Sequence, residues 1–211
     1  CAICTQISPS VTNKINSVGL PQSGVKIKIN PENNEIMMSG AFVMKGYYKD
    51  KKRTDETIKD GWLCTGDQGK IDEDGYLYIT GRVKDTFKTS KGEFIEPLGL
   101  EKFFGDTVEF EQICIVGLGN PQPMLLVVLS ESGKSTDKNV LKSMIENKLN
   151  SVNKDLVSYK RISTIIFVKD DWNPENELLT PTMKIKRNKI NDKYCEKFQA
   201  WNENTETVIW E

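Results

Sequence analysis

A carboxylate and a guanidinium bracket one short segment of the chain, and both groups can bind polar ligands. Asp67 ends the sequence TGD, and Arg82 ends the sequence GR. Gly66 lets the backbone turn tightly, so the short carboxylate of Asp67 can accept two hydrogen bonds from a diol such as ribose. Arg82 can pair with a carboxylate or donate hydrogen bonds to hydroxyl or phosphate oxygens. Taken singly, the simpler interpretations are a solvated turn aspartate and a surface arginine.

A second candidate segment is basic. The sequence LLTPTMKIKRNKI, residues 178–190, places Lys184, Lys186 and Arg187 close together. Its composition predicts an irregular basic loop that leads into a final helix, and this helix includes Tyr194 and Phe198. The residues alone are also consistent with a solvated surface loop without a chemical role.

Short strands must position Asp67 and Arg82. Alternating apolar and polar residues, separated by turn residues, predict strands and a hairpin with an acidic turn that ends at Gly75. The charged run 49–61 predicts a short solvated helix and loop. The strand segments are 25–29 (VKIKI), 35–40 (EIMMSG) and the hairpin 69–80. Residues 1–82 therefore have the pattern of part of a β-barrel and not of a whole domain.

The pattern after Arg82 is that of a compact α+β unit. Residues 85–97 predict a small hairpin with Lys91 and Gly92 at its tip, and 98–105 predict a short helix that Gly105 stops. Two strands flank the turn Asn120-Pro121, and a β-branched strand follows at 162–168.

One amphipathic helix of about four turns is predicted within this unit, over residues 138–152. Apolar residues recur there at three- and four-residue spacing, which is typical of a helix that buries one face. Ser135, Thr136 or Asp137 can cap its N-terminus. The apolar positions are Val140, Leu141, Met144, Ile145, Leu149 and Val152.

Composition excludes several classes of function. The chain has 211 residues, of which 37% are hydrophobic and 28% charged, as in an ordinary globular protein. Its net charge of −1 provides no field that would attract nucleic acid. The absence of histidine excludes a His-based triad and makes a zinc site untenable. The cysteines are scattered without metal-ligand spacing, which predicts buried thiols in a reduced cytoplasmic protein; they are Cys1, Cys4, Cys64, Cys114 and Cys195.

Several motifs together resemble the adenylate-forming superfamily, which includes acyl-CoA synthetases, nonribosomal peptide synthetase adenylation domains and luciferases. Their order and spacing match from about residue 17 to about residue 194. The last motif resembles the long-chain fatty acyl-CoA synthetase form, although Met183 stands where most other branches have glycine. The motifs are SVGLPQSGVKI, EIMMSGAFVMKGYY, DGWLCTGDQGKIDEDGYLYITGRVKD, KGEFIEP and LTPTMKIKR.

The resemblance implies a role for each candidate residue. Asp67 would hold the ribose hydroxyls of ATP or of the acyl-adenylate, and Arg82 would lie near the same ribose and phosphate. Lys84 would be the hinge about which a small domain turns. Lys184 would be the adenylation lysine, with Lys186 as its rival because the motif can slip by two residues.

The resemblance also implies a domain organisation. Residues 1–83 would be the C-terminal, β-barrel-like part of the large AMP-binding domain, and 84–211 would be a small mobile α+β lid domain. The hairpin tip with Lys91 and Gly92 would line the coenzyme A channel, although a plain exposed turn fits nearly as well. Glu101 would replace the glutamate that relatives have soon after the proline.

Two motifs of the family are expected upstream of this sequence. They are the Ser/Thr/Gly-rich phosphate loop and the Y-G-x-T-E magnesium motif, after whose glutamate Cys1 would follow. Ligands for Mg²⁺ are thus expected in the missing N-terminal portion, and none in this chain. We therefore expect the chain by itself to form no adenylate.

The resemblance leaves three functions to weigh. The first is an ATP-dependent long-chain fatty acyl-CoA synthetase that uses ATP, coenzyme A and a fatty acid, cytoplasmic or peripherally membrane-associated. The second is an acyl-AMP ligase that loads an acyl-carrier protein. The third is a non-catalytic nucleotide-binding or interaction module. The tail 200–211 matches no family motif, and its tryptophans can pack on the domain or on a neighbour.

Overall fold

A computed structural model describes residues 5–7 and 14–211. The chain divides into two compact units, Cys1–Lys84 (the first unit) and Asp85–Glu211 (the second unit). Strands dominate the first unit, and the second mixes strands with helices. The predicted α+β class is confirmed. Any assignment that concerns Cys1 or Cys4 lies outside the described residues.

Antiparallel strands build the first unit. β3 pairs with β4, β4 pairs with one edge of β6, and β5 and β7 share the other edge of β6. Within the described residues this sheet is open, so the barrel-like part of the prediction is corrected to a sheet with two ends. Its elements are β1 (Thr5–Gln6), β2 (Leu20–Pro21), β3 (Lys26–Ile29), β4 (Glu35–Ser39), α1 (Lys51–Thr57), β5 (Ile58–Lys59), β6 (Trp62–Ile71) and β7 (Leu77–Arg82).

A side-chain-capped turn joins β6 to β7. The Asp72 carboxylate accepts hydrogen bonds from the backbone N–H groups of Asp74, at 3.1 Å, and Tyr76, at 2.9 Å. Gly75 has φ of +86°, a left-handed conformation that glycine adopts without steric cost. The acidic turn predicted from the sequence is therefore the device that fixes the register of the two strands.

The sheet of the second unit has the strand order β10-β11-β12-β13. β10 and β11 are antiparallel, whereas β11, β12 and β13 run parallel. The strands are β8 (Phe87–Lys88), β9 (Phe94–Ile95), β10 (Phe110–Val116), β11 (Met124–Leu129), β12 (Ile165–Phe167) and β13 (Val208–Trp210). The helices are α2 (Pro97–Glu101), α3 (Glu131–Ser135), α4 (Lys138–Asp155), α5 (Arg187–Tyr194) and α6 (Phe198–Glu203).

Both faces of this sheet are buried. Leu125 and Val127 of β11 belong to one apolar cluster with Leu141 and Ile145 of α4. The alternate residues of β11 belong to a second cluster that contains residues of α5 and α6. Because successive strand residues point to opposite faces, a strand covered on both sides is apolar throughout, which explains the run MLLVVL at 124–129.

The amphipathic helix is confirmed and is longer than predicted. α4 has 18 residues, about five turns, and the Asp137 carboxylate caps it by accepting hydrogen bonds from the N–H groups of Asn139 and Val140. Two predicted core positions face solvent, since Val140 is 60% exposed and Met144 is 38% exposed. The apolar stripe is therefore narrower than the sequence pattern indicates.

The C-terminal segment differs most from the prediction. α5 begins at Arg187, inside the segment predicted as a loop, and a 3-10 turn separates it from α6. The tail packs on its own unit, because Trp201 is buried and β13 adds a parallel strand beside β12. The Trp210 ring lies 4.5 Å from that of Phe167.

The cysteines do not share one environment. Cys114 is buried, Cys64 is half-buried and Cys195 is exposed. The prediction of buried thiols is thus wrong for Cys195, which lies in the solvent-facing 3-10 turn after α5. Among the described residues, no helix has both the length and the apolar character needed to cross a membrane.

Candidate functional site

A β-bulge shapes the TGD segment. Glu35 of β4 is opposite Gln68 of β6, but Met37, only two residues later, is opposite Cys64. Residues 65–67 therefore face a single residue of β4. A bulge of this kind bends the strand and redirects side chains, and bulges are common beside active sites.

Three hydrogen bonds hold the bulge. The Gly66 N–H donates to the Glu35 carboxylate at 2.8 Å, and Gly66 has φ of +76°, which favours glycine. The Thr65 hydroxyl donates to the Ile36 carbonyl at 2.8 Å, and it accepts from the Asp67 N–H at 3.1 Å. The direction of the Asp67 side chain is consequently set by its local backbone.

Asp67 and Arg82 meet across the β6–β7 ladder. The two residues are direct partners in the strand register, and Arg82 Nε lies 3.2 Å from Asp67 Oδ1. The side chains are 37% and 70% exposed, respectively. An exposed ion pair contributes only about 0–1 kcal/mol, so a polar ligand can replace part of it with little loss. The pair can thus present a hydrogen-bond acceptor and a cationic donor to one diol or phosphate.

Lys84 and the hairpin tip lie where the sequence places them. Lys84 is exposed within the 3-10 turn Val83–Asp85. Lys91 and Gly92 form the tip of the β8–β9 hairpin, where Gly92 has φ of +82° and donates its N–H to the Thr89 carbonyl at 3.0 Å. The hairpin is confirmed, whereas the hinge and coenzyme A channel roles stay predictions.

A tight turn carries Lys184. The N–H of Met183 donates to the carbonyl of Thr180 at 2.8 Å, and the N–H of Thr180 donates to the carbonyl of Lys184 at 2.7 Å. The Lys184 N–H donates to the Thr180 hydroxyl at 3.0 Å. The side chain of Lys184 is exposed, and that of Lys186 is half-buried. Exposure therefore favours Lys184 over Lys186 as the residue that can reach a ligand.

A buried guanidinium lies three residues after Lys184. Arg187 Nη1 is 2.8 Å from Glu101 Oε1, and Nη2 donates to Glu101 Oε2 at 3.0 Å. Nη1 also contacts the Cys114 sulfur at 3.0 Å and the Ile115 carbonyl at 2.9 Å. The same carboxylate of Glu101 accepts the Ile115 N–H at 2.8 Å. Glu101 thus performs a structural role, and it does so as the partner of Arg187.

Burial and nearby charges shift the pKa values of two groups in this cluster, the guanidinium of Arg187 and the thiol of Cys114. Burial acts to lower the pKa of Arg187, but the Cys114 sulfur and the carboxylates of Glu101 and Asp85 outweigh that effect and raise it. Burial raises the pKa of the Cys114 thiol to about 12. At neutral pH the cluster therefore contains a guanidinium cation beside a neutral thiol.

The described part of the chain holds no group of three or more Cys, Asp or Glu side chains placed to bind a metal ion. The resemblance to the family predicts the Mg²⁺ ligands in a motif upstream of this sequence.

The structure brings together some predicted site residues and adds others. Asp67 and Arg82 are in contact within the first unit, and Lys184 stands on a separate turn of the second. Sequence reasoning missed Glu35, which orients Gly66 from a neighbouring strand. It interpreted Arg187 only as part of a basic loop, although the spacing from Lys184 in KIKR was a usable signal.

A family model and several known proteins match this chain over most of its length. Residues 84–206 match the family model of the AMP-binding enzyme C-terminal domain. Fatty acyl-CoA synthetase B of Dictyostelium discoideum is 30% identical over 206 residues, which cover 89% of this chain and 30% of that protein. Long-chain-fatty-acid–CoA ligase FadD15 of Mycobacterium tuberculosis is 28% identical, with 89% of this chain and 34% of that protein covered. The chain thus spans about a third of the length of these relatives.

Solved structures show the same similarity. The adenylation domain of the Segniliparus rugosus carboxylic acid reductase, in complex with AMP and a carboxylic acid, matches with a TM-score of 0.70 at 25% identity. That match covers 87% of this chain and 32% of the other. The o-succinylbenzoate CoA synthetase of Bacillus subtilis, in complex with its acyl-adenylate, matches with a TM-score of 0.65 at 25% identity, over 85% and 36% of the two chains. The chain therefore belongs to the AMP-binding, adenylate-forming enzyme superfamily and contains its C-terminal domain.

Proposed function

We propose that the complete protein to which this chain belongs is an ATP-dependent long-chain fatty acyl-CoA synthetase. The observation that carries the proposal is the contact between Asp67, which lies in a bulge, and Arg82. The resemblance to the family assigns the ribose of the nucleotide to these two residues. The names of the relatives support fatty acids and coenzyme A as the substrates.

In the first half-reaction, a carboxylate oxygen attacks the α-phosphorus of ATP. The bond to the bridging oxygen breaks, and pyrophosphate leaves with the electron pair. Asp67 accepts hydrogen bonds from the ribose hydroxyls, and Arg82 lies near the ribose and phosphate. Lys184 provides a long, flexible cation between the carboxylate and the α-phosphate while negative charge develops there.

In the second half-reaction, the sulfur of coenzyme A attacks the acyl carbon, AMP leaves, and the thiol proton passes to solvent. Lys184 has no task in this step, so the second unit is free to turn about Lys84 and present its hairpin tip with Lys91 and Gly92. Movement of one domain lets a single site perform both steps. Mg²⁺, bound by residues outside this sequence, would neutralise charge on the ATP phosphates.

The test is thioester formation from ATP, coenzyme A and palmitate by the complete protein. We expect palmitoyl-CoA to form, and Asp67→Ala to weaken use of ATP. Lys184→Ala should lower palmitoyl-AMP formation by about 100-fold or more, the usual effect of removing a charge-stabilising group. The same variant should convert supplied palmitoyl-AMP to the thioester at nearly the normal rate.

Lys186→Ala is the matched control, because it removes a lysine from the same segment. It should leave both half-reactions near the wild-type rates. Normal adenylation by Lys184→Ala, or a large loss only in Lys186→Ala, would contradict the assignment of the lysine. Failure of the wild-type protein to release pyrophosphate with any fatty acid would contradict the proposed reaction.

A second candidate is an acyl-AMP ligase that transfers its product to a carrier protein. A long-chain-fatty-acid–[acyl-carrier-protein] ligase of Arabidopsis thaliana, AEE15, is 30% identical over 91% of this chain and 30% of that protein. If palmitoyl-AMP accumulates while coenzyme A remains unreacted, holo acyl-carrier protein should be supplied as the acceptor. Transfer to the carrier would favour this candidate.

The cellular location stays a prediction, either cytoplasmic or peripheral on a membrane. Fractionation of cells that contain the complete protein, with a high-salt wash of the membranes, separates the two. The third function, a non-catalytic module, predicts nucleotide binding without pyrophosphate release, and the same assay distinguishes it.

A further inference from the structure

One guanidinium contacts segments of the second unit that are far apart in sequence. Arg187 is the first residue of α5, and its side chain is 13% exposed. The Glu101 carboxylate, 11% exposed, binds it through both oxygens. Such a two-oxygen contact fixes both the position and the plane of the guanidinium.

The remaining nitrogen of this guanidinium faces Asp85. Arg187 Nε is buried and has no hydrogen-bond partner within the described residues. Its carboxylate neighbour is Asp85, with Oδ2 at 3.7 Å. This distance exceeds a hydrogen bond, which requires about 2.7–3.2 Å, so a movement of Asp85 by about 0.5–1 Å would complete one. Arg187 is thus hydrogen-bonded to Glu101 but not to Asp85, and we call the 3.7 Å approach of Asp85 to Arg187 Nε the open contact.

The two ends of this open contact lie beside the two moving parts of the proposed mechanism. Asp85 is the first residue of the second unit and directly follows Lys84. Arg187 follows the Lys184 turn by three residues, and the connecting backbone is held, since the Lys186 N–H donates to the Leu178 carbonyl at 2.9 Å. The open contact therefore lies between the start of the second unit and a residue whose backbone continues from the turn of Lys184.

We propose that Arg187 is a positioning residue that couples the hinge to the adenylation lysine, and that Asp85 closes onto Arg187 Nε in the adenylation orientation. The inference rests on the proposed function. Rotation about Lys84 changes the direction in which the backbone enters Asp85, whereas Glu101 prevents Arg187 from following. Closing the contact then holds the Lys184 turn at one distance from the hinge while phosphorus is attacked.

The proposal predicts unequal effects on the two half-reactions. Asp85→Ala should lower palmitoyl-AMP formation about tenfold, because a hydrogen bond between charged groups is lost. Thioester formation from supplied palmitoyl-AMP should stay within about twofold, since that step does not use Lys184. Asp85→Glu keeps a carboxylate within reach of Nε and should restore most of the adenylation rate.

A matched control concerns another ion pair made by the same helix. Asp170 pairs with Lys193 of α5 at 2.7 Å, so Asp170→Ala removes an exposed ion pair of α5 remote from the hinge in sequence. Both half-reactions should be unchanged in this variant. Asp85 is itself 38% exposed and its distance from Arg187 is 3.7 Å, so Asp85→Ala should lower the unfolding temperature only slightly.

The experiment measures the two half-reactions separately in the complete protein, for the wild type and the three variants. Loss of adenylation alone in Asp85→Ala, with rescue by Asp85→Glu, supports the coupling. Equal loss of both half-reactions would indicate a merely structural role, and no loss would leave the contact without function; either result overturns the inference. A wild type that forms neither product instead overturns the proposed function, and the inference with it.

Discussion

The two candidate site segments differ in what holds their charged groups in place. Asp67 and Arg82 are direct partners across a strand ladder, so the register of β6 and β7 brings them together. Lys184 stands exposed on a tight turn that local backbone hydrogen bonds close, and the buried side chain of Arg187 anchors the chain three residues later. Groups that only bind are thus fixed by backbone pairing. The group proposed to enter and leave the site stands on a local turn and depends in addition on a buried side-chain anchor.

The substitution with the largest expected effect removes Glu101, the carboxylate that holds Arg187 in place. Glu101→Ala leaves a buried guanidinium and the Ile115 N–H without their carboxylate, and loss of one partner from a buried ion pair costs about 3–5 kcal/mol. We expect the free energy of unfolding of the second unit to fall by this amount. Urea unfolding followed by tryptophan fluorescence measures it, because Trp172, Trp201 and Trp210 all belong to this unit.

Asp67→Ala is the counterpart in the first unit. It also removes a carboxylate from an arginine, but the pair is exposed, so the loss should be within about 1 kcal/mol. Equal destabilisation by the two substitutions would contradict the distinction between a strand-held pair and a buried anchor.

Alkaline pH provides a second test, through the thiol beside Arg187. Burial raises the pKa of Cys114 from 9.0 to about 12. Above pH 9 the unfolded chain therefore loses a proton that the folded chain retains, and stability falls as pH rises toward 12. At pH 10 the loss from this group is about 1.4 kcal/mol, since each pKa unit corresponds to 1.36 kcal/mol. Cys114→Ala should have a correspondingly flatter dependence of unfolding free energy between pH 8 and pH 10.

Two other cysteines are controls for the alkaline measurement. Cys195→Ala replaces an exposed thiol and controls for the effect of a cysteine-to-alanine substitution as such. Partial burial of Cys64 on β6, together with the Glu35 carboxylate, raises its pKa, and the charges of Lys59 and Lys28 oppose that rise. Because Cys64 is only half-buried, Cys64→Ala should flatten the curve less than Cys114→Ala. If Cys114→Ala left the pH dependence unchanged, the thiol would have the same pKa in the folded and the unfolded chain, which would contradict this prediction.

Local patterns allowed individual elements of both units to be predicted, but not the contacts that orient Asp67. The β6–β7 hairpin and α4 follow from residue periodicities of two and of about 3.6, which neighbouring residues alone determine. The bulge at TGD depends on Glu35, which lies 31 residues before Gly66 and reaches it only through the pairing of β4 with β6. Register between distant strands has no local signature in one sequence.

The second unit shows the same limit more strongly. Arg187 was interpreted as part of a basic loop because three cations are clustered there, and its burial depends on Glu101, 86 residues earlier. The strand β13 has only three residues, and a short apolar run does not by itself distinguish strand from helix. These features arise from tertiary packing, which overrides local preference.

The smallest expected effect concerns Met183, the residue before Lys184, which we propose as the adenylation lysine. Its φ is +60°, in the left-handed region, and its side chain is 57% exposed. Glycine adopts this conformation without steric cost, which explains why most branches of the superfamily have glycine at the position. A residue with a side chain pays about 1–2 kcal/mol there.

Met183→Gly should therefore stabilise the second unit by about 0.5 kcal/mol, because relief of backbone strain exceeds the roughly 0.4–1 kcal/mol of chain entropy that glycine adds to the unfolded state. Met183→Ala is the matched control: it removes the same exposed side chain but keeps the strained backbone, so its stability should equal that of the wild type. Urea midpoints of the three proteins measure the difference. Should Met183→Gly and Met183→Ala both destabilise the unit, the methionine side chain itself would be an anchor of the turn. The Lys184 turn would then be held by packing as well as by Arg187.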